Sequence, residues 1–171
     1  PTAITLSVPT MPLGTPLETT LSTGQVRLYQ LDLPAGETLR VSVESEAPGA
    51  ANELFLRFGD VPNGIQYDAA YEGQLAPNQS IVMATEQPGT YYILVRGFSE
   101  PANDTPTTLF AELLPFQVTD VVTDKGGDSR WVTTTIYGAQ FDENAVPKLV
   151  RPRFGEYEPV AYKVLDSSRI I

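Results

Sequence analysis

The sequence predicts an all-β fold of packed antiparallel strands, a sandwich or jelly-roll-like barrel with almost no helix. Three observations predict it. Apolar and polar side chains alternate with period two in stretch after stretch, the mark of strands with one buried face. The 15 Pro and 13 Gly fall largely between those stretches, in groups such as Pro34-Ala35-Gly36 and Pro62-Asn63-Gly64 that favour tight reversals. No segment carries a sustained apolar stripe at 3.6-residue spacing, which a helix packed on a core requires.

Taken in order, residues 4–8 (Ile4, Leu6 and Val8 on one face) form a Pro-bounded leading strand. Residues 26–33 and 38–44 follow, the second placing Leu39, Val41 and Val43 on one side and Arg40, Ser42 and Glu44 on the other. Residues 53–58, 80–84, 91–96 and 107–114 repeat the pattern, each bounded by Pro, Gly or Asn. At Leu114-Pro115-Phe116 the pattern restarts. Residues 117–123 alternate with Val118 and Val121 or Val122 as inward candidates, before the polar loop Asp124-Lys125-Gly126-Gly127-Asp128-Ser129. Residues 131–137 give a Thr-rich strand closed by Gly138, and residues 160–165 a further one. The expected organisation is therefore residues 1–15 as leading strand or linker, 16–115 as a β-sandwich, and 116–171 as a second, partial β-unit. Only a residue or two separates the two units, too little for a flexible linker, so a stiff, partly packed junction is expected.

Composition narrows the chemistry. With no His and no Cys among 171 residues, Ser-His-Asp and Cys-His nucleophiles, thiolate or imidazole zinc sites and disulfides are excluded. Eleven Lys+Arg against 21 Asp+Glu give a net charge of −10. The asymmetry is local: residues 1–115 hold 4 basic and 13 acidic side chains, residues 116–171 hold 7 and 8. Nucleic acid is not an expected partner, since phosphate neutralisation needs clustered Lys and Arg. No apolar run is long enough for a membrane-spanning helix. The start at Pro1 and the strand-like end Arg169-Ile170-Ile171 are those expected of a piece of a longer polypeptide.

Four stretches in order then resemble one family. Residues 28–39 (Leu-Tyr-Gln-Leu-Asp-Leu-Pro-Ala-Gly-Glu-Thr-Leu) give a strand, a Pro-Ala-Gly turn and a second strand. Residues 53–59 (Glu-Leu-Phe-Leu-Arg-Phe-Gly) are similar to a DLYLRFG strand, residues 88–97 contain Gly-Thr-Tyr-Tyr-Ile-Leu-Val-Arg-Gly, similar to GTYYVRVYG, and residues 108–114 sit where a closing strand belongs. Together these resemble the bacterial pre-peptidase C-terminal (PPC) domain, a small β-sandwich appended to secreted proteases and surface proteins. The resemblance implies an extracellular or cell-surface setting and a non-catalytic role. The family has an acidic residue before its Leu-Tyr pair, and Glu53 stands there. In the second unit Val118 to Val122, Gly126-Gly127, Val132 to Gly138 and Phe141 resemble the opening of an IPT/TIG domain, an immunoglobulin-like β-sandwich whose closing strands lie beyond these residues.

Candidate site residues come from the loops. Asp60, Asp68 and Glu72 lie in a Gly- and Asn-containing connection and could offer hard oxygens to Ca2+, which takes six to eight of them. Glu100 with Asn103 and Asp104, and Asp120, Asp124, Asp128 and Asp142, are two further acidic groups. Tyr67, Tyr71 and Tyr92, with Tyr91 beside them, could form an aromatic platform for a sugar or peptide. The alternative for each is ordinary: solvated loop carboxylates, and aromatic packing within and across strands. Trp131 reads as a core anchor, and Lys148, Arg151 and Arg153 as an extended basic stretch facing solvent or an acidic neighbour. No spacing of the acids suggests a catalytic pair. The expected role is that of a non-enzymatic module pair that spaces, presents or anchors neighbouring domains. Calcium-assisted binding of polysaccharide or matrix protein, and self-assembly by strand exchange, stand as alternatives.

Overall fold

The computed structural model describes residues 7–123, 132–151 and 153–171, so Ile4, Leu6, Asp124, Gly126, Gly127, Asp128 and Trp131 lie outside the described residues. Strands account for the whole of its regular structure among those residues, with no helix. Eight of them build a sandwich: β1 (Leu17–Leu21), β2 (Val26–Leu33), β3 (Thr38–Glu44), β4 (Ala51–Phe58), β5 (Ala69–Ala70), β6 (Gln79–Ala84), β7 (Gly89–Ser99) and β8 (Thr105–Leu113). One sheet runs β2-β7-β4-β5 and the other β1-β8-β3-β6, every neighbouring pair antiparallel.

Alternation decides which side chains meet between the sheets. Leu54, Leu56, Ile93 and Val95 project from the first sheet, and Leu39, Val41, Val43 and Leu109 from the second, all fully buried. Each such side chain contributes about 1.5–3 kcal/mol relative to exposure. The intervening residues face outward and pair across strands, as Arg40 does with Glu112, its partner in the β3–β8 register.

The two lateral openings of the sandwich differ. On the β1/β2 side, Thr10 bridges Gln30 of β2 and Leu13 bridges Ala111 of β8, both in parallel. Residues 9–14 thus cross from one sheet to the other, and Met11, 1% exposed, plugs the gap between them. This strap follows directly on the stretch expected to be a leading strand. On the opposite side the chain crosses between the sheets in the connection from β5 to β6, where Ala76 bridges Asn52 of β4, and among the described residues nothing pairs with the outer side of β6 from Ser80 to Ala84.

Residues 117–171 form β9 (Gln117–Val122), β10 (Thr135–Ala139), β11 (Leu149–Arg151), β12 (Gly155–Tyr157), β13 (Val164–Asp166) and β14 (Arg169–Ile170). The sheet order is β13-β14-β10-β9, and β11 and β12 form a separate hairpin. The strand expected over residues 131–137 is shifted to Thr135–Ala139, and that over 160–165 to Val164–Asp166. Val118, Val121 and Val122, expected to face inward, are exposed instead, because no second layer covers this sheet among the described residues. Of its buried apolar side chains, Ile170 lies opposite Ile136 near the start of β10, and Ala139 and Phe141 lie at its end. Gly138 is required there: a Cβ would strike the Gln117 carbonyl and the Phe141 ring.

That end docks on the sandwich at the start of β3. The buried Thr38 hydroxyl accepts from the Gln140 amide at 3.1 Å and donates to the Ser167 carbonyl at 3.2 Å. Ser167 Oγ donates to the Glu37 carbonyl at 3.0 Å, and Gln140 Nε2 donates to Glu37 Oε2 at 2.6 Å. Gln140 holds φ at 61°, a left-handed conformation that a non-glycine residue adopts at a cost, here offset by its two bonds to the sandwich.

Candidate functional site

Between the β5 and β6 edges and the docked second sheet lies an open groove of about 1320 Å³. Phe58, Tyr67, Tyr71, Met83 and Tyr91 supply its apolar surface, and Tyr137, Ser168 and Arg169 reach it from the second sheet. Two separate groups of aromatic contacts border it. Phe55 lies 5.4 Å from the Tyr67 ring and 5.9 Å, edge-on, from Tyr71, while Phe58 and Tyr91 are 5.1 Å apart. These rings meet because β4 and β7 pair Phe58 with Tyr91, and because the chain after β4 folds back to pair Ala70 with Phe55.

The predicted platform is therefore divided. Tyr67 and Tyr71 line the groove, whereas Tyr92 is paired between Gln30 and Arg57 on the outer face of the first sheet and is absent from the lining. Tyr91, buried, takes its place, its hydroxyl donating to the Gln87 carbonyl at 2.7 Å. Burial pushes the Tyr91 phenol upward, partly opposed by that hydrogen bond. Burial likewise raises Tyr71, and the Glu53 carboxylate, which accepts from the Tyr71 hydroxyl at 3.4 Å, adds to the effect. Both phenols stay neutral at physiological pH and offer ring faces and hydroxyls, the chemistry of binding.

Residues 25–97, from β2 into β7, match the bacterial pre-peptidase C-terminal domain. The chain is 31% identical over 78 residues to alkaline serine exoprotease A of Vibrio alginolyticus, which covers 46% of this chain and 14% of that relative. The present chain thus spans a small fraction of the relative's length. Among solved structures, the pre-peptidase C-terminal domain of the Bacillus anthracis collagenase is similar with a TM-score of 0.49 at 17% identity, over 64% of this chain and 99% of that one. The g-type lysozyme inhibitor PliG of Aeromonas hydrophila gives 0.46 at 20% identity, over 62% and 94%.

Within the sandwich the acidic candidates are placed separately. Asp60 pairs with Arg57 at 3.0 Å and accepts from the Val61 amide at 2.8 Å. Asp68 accepts from the Phe58 amide at 2.8 Å, fixing the return to β4, and Glu72 is an exposed side chain on the groove wall. No group of three acidic side chains among the described residues is close enough to hold a metal ion. Glu53, at the family's acidic position, is nearly buried and ion-paired with Arg96 opposite it on β7.

Of the other candidates, Asp104 takes a left-handed turn conformation with φ 55°. Both carboxylate oxygens of Glu100 are buried without a hydrogen-bond partner, and burial raises its pKa. The neighbouring Thr105 hydroxyl commits its proton to the Ala102 carbonyl at 3.0 Å and so leaves the Glu100 oxygens unpaired. Lys148 is held by Glu156 at 3.2 Å and Glu158 at 3.7 Å, while the Arg151 guanidinium lies over the Phe154 ring at 5.1 Å.

The groove itself was not legible in the sequence. It depends on two strand edges far apart in the chain and on the docking of the second sheet. The alternation of β4 and β7 does place Phe58 and Tyr91 on their strands, but only the register brings them to the open side.

Proposed function

We propose that this chain is a non-catalytic, extracellular two-part β-module of a larger secreted or cell-surface protein, in which it spaces and presents neighbouring domains. The match of residues 25–97 to an appended domain, beside an exoprotease relative of which it covers only 14%, carries this reading. The hydrogen-bonded junction at Thr38 supports it further, since a presenting module needs a fixed angle between its parts. In this reading residues 116–171 are the opening part of an immunoglobulin-like sandwich, completed by strands from the same polypeptide or from another chain. Incubating the chain with casein, chromogenic esters and chromogenic glycosides tests the absence of catalysis. No turnover is expected, and turnover that survives repurification would overturn the proposal.

A second reading, ligand capture by the first unit, is favoured by one observation: Tyr67 and Tyr71 present their rings at an open groove. Polysaccharide or matrix protein, with or without Ca2+, is the class of ligand to test. A thermal melt with and without 1 mM calcium (a general working concentration for such sites) separates the two. An unmoved midpoint, with no retention on insoluble glycan or matrix protein, leaves the presenting role alone.

A further inference from the structure

The β6 edge is the place where this fold is left incomplete. Backbone direction along β3 alternates: the Thr38 carbonyl accepts from Leu114 toward β8, while the Glu37 carbonyl accepts from Thr85 toward β6. The odd-numbered residues of β3 therefore bond to Gln79, Ile81 and Met83 of β6, their partners in the register. Ser80, Val82 and Ala84 consequently turn their N–H and C=O groups away from the sheet. No hydrogen bond from a described residue reaches those groups.

Natural edges are guarded by Lys, Pro, a bulge or a covering segment. The β6 sequence Gln-Ser-Ile-Val-Met-Ala has no charge and no Pro, its pairing with β3 runs without a register shift, and Val82 is 42% exposed. Residues 9–14 pair with β2 and β8 on the opposite side, whereas the connection from β5 to β6 pairs through Ala76 with Asn52 of β4 and leaves the β6 edge from Ser80 to Ala84 unpaired among the described residues. The β6 edge forms part of the groove, with Tyr71 and Met83 at its mouth and the second sheet as the far wall.

The charge of the groove indicates what fits. Arg57 is engaged by Asp60, and Arg169 by Asp166 at 3.5 Å. The remaining lining acids, Asp68, Glu72 and Glu86, have no cationic partner among the described residues. We propose that β6 receives an extended basic peptide as an added antiparallel strand. Its backbone bonds to Ser80, Val82 and Ala84, alternate apolar side chains enter the mouth beside Tyr71 and Met83, and Lys or Arg side chains meet Asp68, Glu72 and Glu86. The far wall favours one strand over a whole second copy, because Tyr137 and Arg169 line the groove across from the edge and bound its width.

This inference builds on the presenting-module reading by naming what the module would hold. The two fail separately, since that reading is tested by the absence of turnover. The test uses the full chain and a capped nonapeptide of alternating Val and Lys, with a Val and Glu peptide as control. Amide hydrogen exchange is expected to slow by about tenfold or more at Ser80, Val82 and Ala84 with the basic peptide alone, as new strand bonds form. The double variant Glu72→Lys with Glu86→Lys, at two exposed positions, is expected to weaken binding by about tenfold at low salt. Binding without protection of those three amides, equal binding of the acidic peptide, or no binding overturns the proposal. So does protection that grows with protein concentration in the absence of peptide, which would identify a second copy as the occupant.

Discussion

Thr38→Val is the sharpest perturbation of the junction. Valine keeps the shape of the fully buried threonine, so the change removes the hydroxyl while leaving the packing nearly intact. Two hydrogen bonds are lost, from the Gln140 amide and to the Ser167 carbonyl. Each contributes about 1 kcal/mol net, and leaving the Gln140 N–H unpaired in a part-buried site adds a desolvation cost of about 1 kcal/mol. The expected loss is about 2–3 kcal/mol, felt by the second sheet more than by the sandwich. Urea unfolding combined with native-state amide exchange reads this out. With a slope of about 2 kcal/mol/M for a chain of this size, the midpoint of the second unit falls by about 1 M. Exchange at Ile136 and Ile170 accelerates while that at Leu54 and Ile93 stays near wild type. Thr107→Val is the control, because the Thr107 hydroxyl donates to the Thr105 carbonyl inside the sandwich. If Thr38→Val slowed or left unchanged the exchange at Ile136 and Ile170, the junction would not hold the second sheet.

Three other outcomes are expected. Glu100→Gln stabilises the chain at neutral pH by less than about 1 kcal/mol, because it removes a charge whose oxygens lack a partner in a part-exposed site that solvent screens. Its folded pKa is raised, so the wild type is relatively favoured below the ordinary carboxylate range and loses that advantage as pH rises through the raised value. Melts across pH 3–8 (bracketing the reference carboxylate pKa, about 4) should show the variant's advantage vanish in acid. Met11→Ala costs about 2–5 kcal/mol if residues 9–14 close the sandwich, and less than 1 kcal/mol by chemical denaturation would show that the strap is peripheral. Gly138→Ala destabilises the second sheet by about 1–3 kcal/mol or more, since backbone at Gln117 cannot give way, and faster exchange confined to residues near β9 and β10 is the signature.

The parts of the fold legible in the sequence are those where local pattern and tertiary context agree. β2, β3, β4, β7 and β8 alternate cleanly and end in Pro, Gly or Asn, and the structure places them where the pattern does. β1, with the sequence Leu-Glu-Thr-Thr-Leu, is missed because its Thr residues are only half-buried at an edge. The hairpin β11–β12 is missed because Pro147, Pro152 and three basic residues resemble a guarded loop, whereas cross-strand ion pairs hold it. In the second unit, alternation predicts a buried face that has no covering layer, so Val118 and Val121 emerge exposed. Tyr92 was separated from Tyr67 and Tyr71 for a related reason: alternation says that Tyr91 and Tyr92 face opposite ways, and only strand order tells which side borders the groove.

Joined through Glu37, Thr38, Gln140 and Ser167, the sandwich and the second sheet are expected to move as one body. Backbone residual dipolar couplings of the full chain test it most directly. Couplings from β2 to β8 and from β9, β10 and β14 are expected to fit a single alignment tensor, of equal magnitude and direction. Two tensors of different magnitude would show parts that reorient independently, and would contradict it.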